Sequence, residues 1–207
     1  MIREPRLNLA SGCDLIPGFA NVDKVKMEGV DYVWDLEIFP WPVESDSVEE
    51  VICKHYIEHI PHDGFAKRLI RIINEATCFN DLKDRVGRID LQTPSDGLIL
   101  FMEEVYRVLA PFGHAKFVTP YYNSGIAWQD PTHVRAITET TYRYFNKKWR
   151  EASHLEHYGI KCDFDFKLEG YDLHKDINYN SEDDKRFAMR CNTNVIINMY
   201  VELTKRP

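Results

Sequence analysis

Short apolar runs broken by Gly, Pro and Asp dominate the first quarter of the chain. Residues 7–9, 20–22 and 33–35 each predict a brief strand, and residues 48–54 predict a fourth, followed at once by a polar stretch with two histidines. Between 64 and 76, Phe65, Leu69, Ile70, Ile72 and Ile73 suit an amphipathic helix; residues 80–97 read as a polar loop ending in Thr-Pro-Ser-Asp-Gly. The clearest helix covers 98–109. Leu98, Phe101, Met102, Val105, Val108 and Leu109 recur at helical spacing there, with Glu103, Glu104 and Arg107 off the stripe. Ala-Pro-Phe-Gly breaks it, 115–119 predicts a strand, and 138–145 a helix. A polar loop near 178–184 precedes a buried strand at 193–203.

Strands alternating with helices predict an α/β sheet in one domain, residues 1–207, with 63–97 inserted between two regular units. That segment reads as a lid or partner-binding element, or as a decoration on the fold. Composition leaves this picture in place: 207 residues, 44% hydrophobic and 29% charged, are ordinary for a globular domain. A net charge of −7 argues against nucleic acid as the partner. Arg68, Arg71, Lys83, Arg85 and Arg88 offer at most a local basic face. Five widely spaced cysteines without a C-x-x-C pair indicate free thiols, and no apolar run is long enough for a signal peptide or membrane span, so a cytoplasmic protein is expected.

The candidate chemistry begins at LNLASGCDLIPGFANVD, residues 7–23. Small residues Ala10, Ser11 and Gly12 let backbone approach a ligand at the carboxyl end of a strand. Asp23 ends the next strand, where a carboxylate can accept from both hydroxyls of a ribose. The interval also separates cofactors. A dinucleotide site wants a full helix after the glycines and an acidic residue about 20 positions on. Asp23 lies eleven residues after Gly12, with Pro17-Gly18 between them, so a ligand without a pyrophosphate fits better.

LNLASG…GFANVD resembles the opening of the class I S-adenosylmethionine (SAM)-dependent methyltransferases, in the subgroup that opens approximately LNLGCG…GFINVD. Asp35-Leu36 with PWPVESDSVEEV, then HYIEHI (55–60), EEVYRVLAPFG (103–113), VTPY (118–121) and DPTHVR (130–135) resemble later blocks of that family in the same order. Ala10 and Phe112 stand where the family has glycines. The resemblance implies a Rossmann-like sheet, mostly parallel with an antiparallel C-terminal strand and helices on both faces, with SAM as cofactor and a small polar acceptor such as a sugar. It further implies that Ala10, Ser11 and Gly12 line the methionine moiety, Asp23 holds the ribose, Asp35 and Leu36 meet the adenine, and Lys54 and His55 border the methyl group.

His59 and His133 are the candidate acid–base residues, because histidine titrates near neutral pH. Tyr121, Tyr122, Asp130 and Arg135 are candidate acceptor-pocket residues; an ordered loop held by an Asp–Arg pair is the plainer reading of the last two. Two rivals stand beside this one. A non-catalytic SAM-binding protein would share the fold. A zinc-dependent hydrolase would use His55-Tyr56-Ile57-Glu58-His59, an H-x-x-E-H motif, yet Pro61 leaves little room for the helix it requires. No metal is assigned from the sequence.

Overall fold

The computed structural model describes residues 1–63, 69, 72–87 and 96–207. Its strands are β1 (Arg6–Leu9), β2 (Ala20–Asp23), β3 (Tyr32–Val33), β4 (Val48–Lys54), β5 (Leu109–Pro120), β6 (Phe164–Leu173) and β7 (Ile196–Lys205). They form one sheet in the order β3-β2-β1-β4-β5-β7-β6. The first five of these neighbours pair in parallel, and β7 runs antiparallel to both β5 and β6. A mostly parallel sheet with an antiparallel C-terminal strand is therefore what the chain builds. The order reverses at β1 and β4, whose carboxyl ends mark the crevice where open α/β sheets bind ligands.

Helices are α1 (Phe79–Gly87), α2 (Gly97–Val108), α3 (Ile126–Gln129), α4 (Glu139–Arg143), α5 (Lys147–Ala152) and α6 (Glu182–Cys191), with a 3-10 turn at Ile57–His59. α2 forms because its apolar stripe has a core to meet: Leu98, Phe101, Met102, Val105 and Val108 are all buried. Asp96 caps it, accepting from the amides of Leu98 at 2.9 Å and Ile99 at 3.4 Å. Among the described residues no helix is long and apolar enough to cross a membrane.

Several elements depart from expectation. β3 lies at Tyr32–Val33, so Trp34 and Asp35 fall beyond its end. Within the stretch expected to be a polar loop, α1 forms, tied by Asp81 to Arg85 at 2.8 Å. α6 replaces the loop expected near 178–184 from residue 182 onward; Ser181 caps it and three acidic residues occupy its first turn. The Ala-Pro-Phe-Gly break lies inside β5 as a bulge. Phe112 takes φ 65°, and the β4–β5 register shifts between Val48 and Glu50. Gly113 is required there, since a Cβ would come within 2.9 Å of the Ala110 carbonyl oxygen. Glu104, read as off the stripe, is buried: it accepts from the Trp41 amide at 2.5 Å and pairs with Arg107 at 2.6 Å. Most of the helix expected over 64–76, including Phe65, Ile70 and Arg71, lies outside the described residues, as do Arg68, Arg88 and the Thr93-Pro94-Ser95 loop.

The connections β1–β2 and β2–β3 contain turns and no helix. A network of buried asparagines holds the first of them. Asn8 Nδ2 donates to the Asp14 carbonyl at 2.8 Å and to Asn21 Oδ1 at 2.9 Å; the same oxygen accepts from the Ile16 amide at 2.9 Å. Asn21 in turn donates to Asp31, through its amide at 2.8 Å. Both asparagines are poor strand formers placed mid-strand, which is the signal sequence reading passed over. Asn21→Ala strips a buried acceptor from two donors at once, and should lower stability by about 2–3 kcal/mol in denaturant melts.

Candidate functional site

β1 delivers its last residue to a tight turn. Ala10 has φ 52° and Gly12 φ 50°, both left-handed. The Ser11 amide donates to the Val22 carbonyl at 3.0 Å, which fixes the turn over β2. Asp23, at the end of β2, completes it: Oδ2 accepts from the Gly12 amide at 2.9 Å and Oδ1 from the Val25 amide at 2.9 Å. A carboxylate offers about four lone-pair positions, so each oxygen keeps one for a ligand.

A cavity of about 420 Å³ opens beside this turn. It is lined by Ala10, Asp23, Lys24, Trp34, Asp35, Leu36, Glu37, His55, Tyr56, His59 and Thr132. The volume falls in the range of roughly 300–1,000 Å³ usual for small-molecule sites. Six sequence candidates thus meet here: Ala10, Asp23, Asp35, Leu36, His55 and His59. Ser11, Gly12 and Lys54 do not line it. Ser11 is buried, Gly12 acts through its bond to Asp23, and Lys54 pairs with Asp14 at 2.8 Å. Trp34, Glu37 and Tyr56 were missed, although the aromatic pair flanks the ligand-facing ends of β3 and β4. Burial first, and then the Glu37 carboxylate, push the Tyr56 phenol well above its ordinary range, so it remains a neutral hydrogen-bonding group.

Ala10 carries the cost of its geometry. A left-handed alanine is disfavoured by about 1–2 kcal/mol relative to the right-handed form, a penalty glycine escapes. Glycine also gains freedom in the unfolded chain, which offsets part of the relief. Ala10→Gly is therefore expected to raise stability by roughly 0.5–1 kcal/mol, read as an increase in thermal midpoint.

The H-x-x-E-H reading loses its premise. His55 stands at the end of β4 with φ 51°, and only the 3-10 turn Ile57–His59 follows, so His55 and His59 do not share a helix face. His59 instead meets His133, with ring centroids 4.5 Å apart at 77°. The 130–135 loop is fastened to this turn: Val134 donates to the Glu58 carbonyl at 2.9 Å, and Arg135 Nε and Nη2 donate to the Ile60 carbonyl at 3.0 and 2.8 Å. Arg135 also pairs with Asp96 at 3.1 Å. The candidate acceptor arginine is thus committed to structure. Asp130 folds the loop on itself, accepting from the Thr132 hydroxyl at 2.7 Å and amide at 2.8 Å, and these bonds hold its carboxyl below the ordinary range.

Tyr121 and Tyr122 face elsewhere. With Glu139, Tyr171 and several residues of α6 they line an open cavity of about 1050 Å³. Tyr121 donates to Glu139 at 3.1 Å, and Tyr171 donates to the same carboxylate oxygen. The four candidate acceptor residues therefore do not form one pocket.

No protein-family model and no curated protein matches the chain. Solved structures do match. A SAM-dependent methyltransferase from Archaeoglobus fulgidus aligns over 90% of this chain and 75% of its own, with TM-score 0.51 and 16% identity. The YcgJ protein of Bacillus subtilis aligns over 99% of this chain and 93% of its own, at TM-score 0.49 and 13% identity. At such identity the likeness concerns the fold, and together with the strand order above it gives the conclusion: the chain has the Rossmann-like fold of SAM-dependent methyltransferases.

Proposed function

We propose that the protein is a SAM-dependent methyltransferase acting on a small polar acceptor, such as a sugar or other hydroxylated metabolite. The observation that carries this reading is the lining of the 420 Å³ cavity: three carboxylates, Asp23, Asp35 and Glu37, against one lysine, Lys24. That charge suits a sulfonium cation and repels a pyrophosphate. The fit extends to the geometry. Asp23 keeps acceptor positions for two ribose hydroxyls, and Asp35, whose Oδ1 accepts from the Glu37 amide at 3.0 Å, keeps its second oxygen for an exocyclic amine. Leu36 and Trp34 offer apolar surface for a purine.

When bound, SAM supplies an electrophilic methyl group on sulfur, and its departure leaves a neutral thioether. The chain therefore has no anion to stabilise at the leaving group, and its task is alignment. The turn at Ala10 holds the ligand's near end through backbone. Tyr56 and His55 close one side of the cavity, and His59 lines it beside Thr132. The test uses methyl-labelled SAM with a panel of hydroxylated sugars and metabolites. Release of S-adenosylhomocysteine together with a labelled product supports the proposal. SAM binding without release across the panel favours the non-catalytic reading instead.

A further inference from the structure

We propose that Glu58, His59 and His133 form a binding site for a divalent transition metal of the Zn²⁺ class, alongside the candidate cofactor cavity. One ligand-type atom from each of the three lies within 4.8 Å of the others. The set of two imidazoles and one carboxylate, with a position left open, is a known catalytic zinc arrangement.

The first independent observation is Glu58. It is 2% exposed, yet neither of its carboxylate oxygens has a hydrogen-bond partner among the described residues. Burying a carboxylate without compensation is costly, and buried charges are normally paired or coordinate metals. Among the described residues its one ion-pair contact is with His55, whose Nδ1 stands 3.5 Å from Oε1 without forming a hydrogen bond. A cation shared with two histidines satisfies Glu58 where His55 does not.

The second observation is how the two imidazoles are held. His133 Nδ1 lies 3.0 Å from the Ala127 carbonyl, which can only accept, so the proton sits on Nδ1. His59 Nδ1 lies 2.9 Å from Thr132 Oγ1. The Thr132 hydroxyl already donates to Asp130 at 2.7 Å, so its oxygen accepts from His59 Nδ1–H. In the neutral form of each ring the lone pair is thereby left on Nε2. This is the outer-shell pattern that orients metal-ligating histidines: a carbonyl on one, a hydroxyl–carboxylate relay on the other. The relay also gives Asp130 and Thr132 a purpose the acceptor-pocket expectation did not provide.

His59 and Thr132 line the cofactor cavity as well, so the metal would face it. If the methyltransferase reading holds, on which this consequence rests, the metal takes an acceptor hydroxyl as its further ligand and lowers the hydroxyl pKa. The proton leaves to solvent, the oxygen–methyl bond forms, and the methyl–sulfur bond breaks, its electron pair staying on sulfur. The acceptor class is then an oxygen nucleophile.

The site is tested without SAM. Chelator-treated protein is titrated with Co²⁺ as a spectroscopic stand-in and then with Zn²⁺ in competition. Expected is one Co²⁺ per chain, with visible ligand-field bands, no thiolate charge-transfer band, and displacement by Zn²⁺. Glu58→Gln and His133→Ala, each checked for fold by circular dichroism, should weaken binding by at least about 100-fold, the upper end of what loss of an outer-shell partner alone does. No binding, binding carried by a thiolate band from the exposed Cys13, Cys78 or Cys191, or binding unchanged in both variants would overturn the proposal. Since the titration contains no cofactor, failure to bind SAM leaves it standing, and SAM binding without metal binding overturns this site alone.

Discussion

Asp23→Ala should weaken S-adenosylhomocysteine binding about 100-fold, or about 2.8 kcal/mol at 1.4 kcal/mol per decade. The carboxylate is expected to accept two ribose hydroxyls, and hydrogen bonds to charged groups contribute roughly 1.5–3 kcal/mol each. Part of the loss has another origin. Asp23 also accepts from the Gly12 and Val25 amides, so its removal frees the turn that shapes the cavity. Asp23→Asn separates the two: it retains one acceptor oxygen and the side-chain volume but loses the charge. It should fall between wild type and alanine in affinity while keeping most of the thermal stability. Calorimetric titration with S-adenosylhomocysteine, paired with thermal melts, reads both. A dissociation constant within threefold of wild type for Asp23→Ala would remove the ribose role.

Phe101→Ala should cost about 3–5 kcal/mol of folding stability, the usual range for emptying a fully buried aromatic site. Phe101 is 0% exposed at the centre of α2. Its ring meets Trp41 at 5.4 Å edge-on and Tyr56 at 5.5 Å. Trp41 is further pinned by Glu104, through its amide, and donates from its indole to the Leu36 carbonyl at 3.0 Å. The ring thus joins the helix to two cavity-lining residues, Leu36 by way of Trp41 and Tyr56 directly. A cavity here loosens the adenine side as well as the core, so the variant should show a lower denaturation midpoint and, at temperatures where it remains folded, weaker S-adenosylhomocysteine binding. Loss of stability with unchanged affinity would confine Phe101 to the core.

The sheet was legible because its signals are local. Each early strand is a short apolar run bounded by turn residues, and the helix at α2 repeats its apolar stripe over three turns. The cavity lining was legible to the same extent: Ala10, Asp23, Asp35 and Leu36 each lie at or just past a strand end, and a parallel sheet brings strand ends together. α1 and α6 were hidden by their polar average, although each keeps an apolar stripe at helical spacing, and Ser181 with Glu182, Asp183, Asp184 and Arg190 offered a cap and charge pattern that reads as a helix. The candidate acceptor residues stay apart for a different reason. Tyr121, Tyr122, Asp130 and Arg135 are neighbours in sequence, but the first pair turns toward α6 while the 130–135 loop folds back on the turn after β4. That fold-back is long-range, set by Val134 and Arg135 meeting the carbonyls of Glu58 and Ile60, and nothing in either segment alone announces it. The same contact explains why His59 finds His133 in place of His55.

The proposed function gives the chain's opening turn, its aspartate and the carboxylate-rich cavity beside them one ligand. Isothermal titration of the wild-type protein with S-adenosylhomocysteine, and in parallel with NAD⁺, measures this directly. One molecule of S-adenosylhomocysteine bound per chain, with NAD⁺ giving no saturable heat, is the expected result. Saturable NAD⁺ binding, or no S-adenosylhomocysteine binding by folded protein, would contradict it.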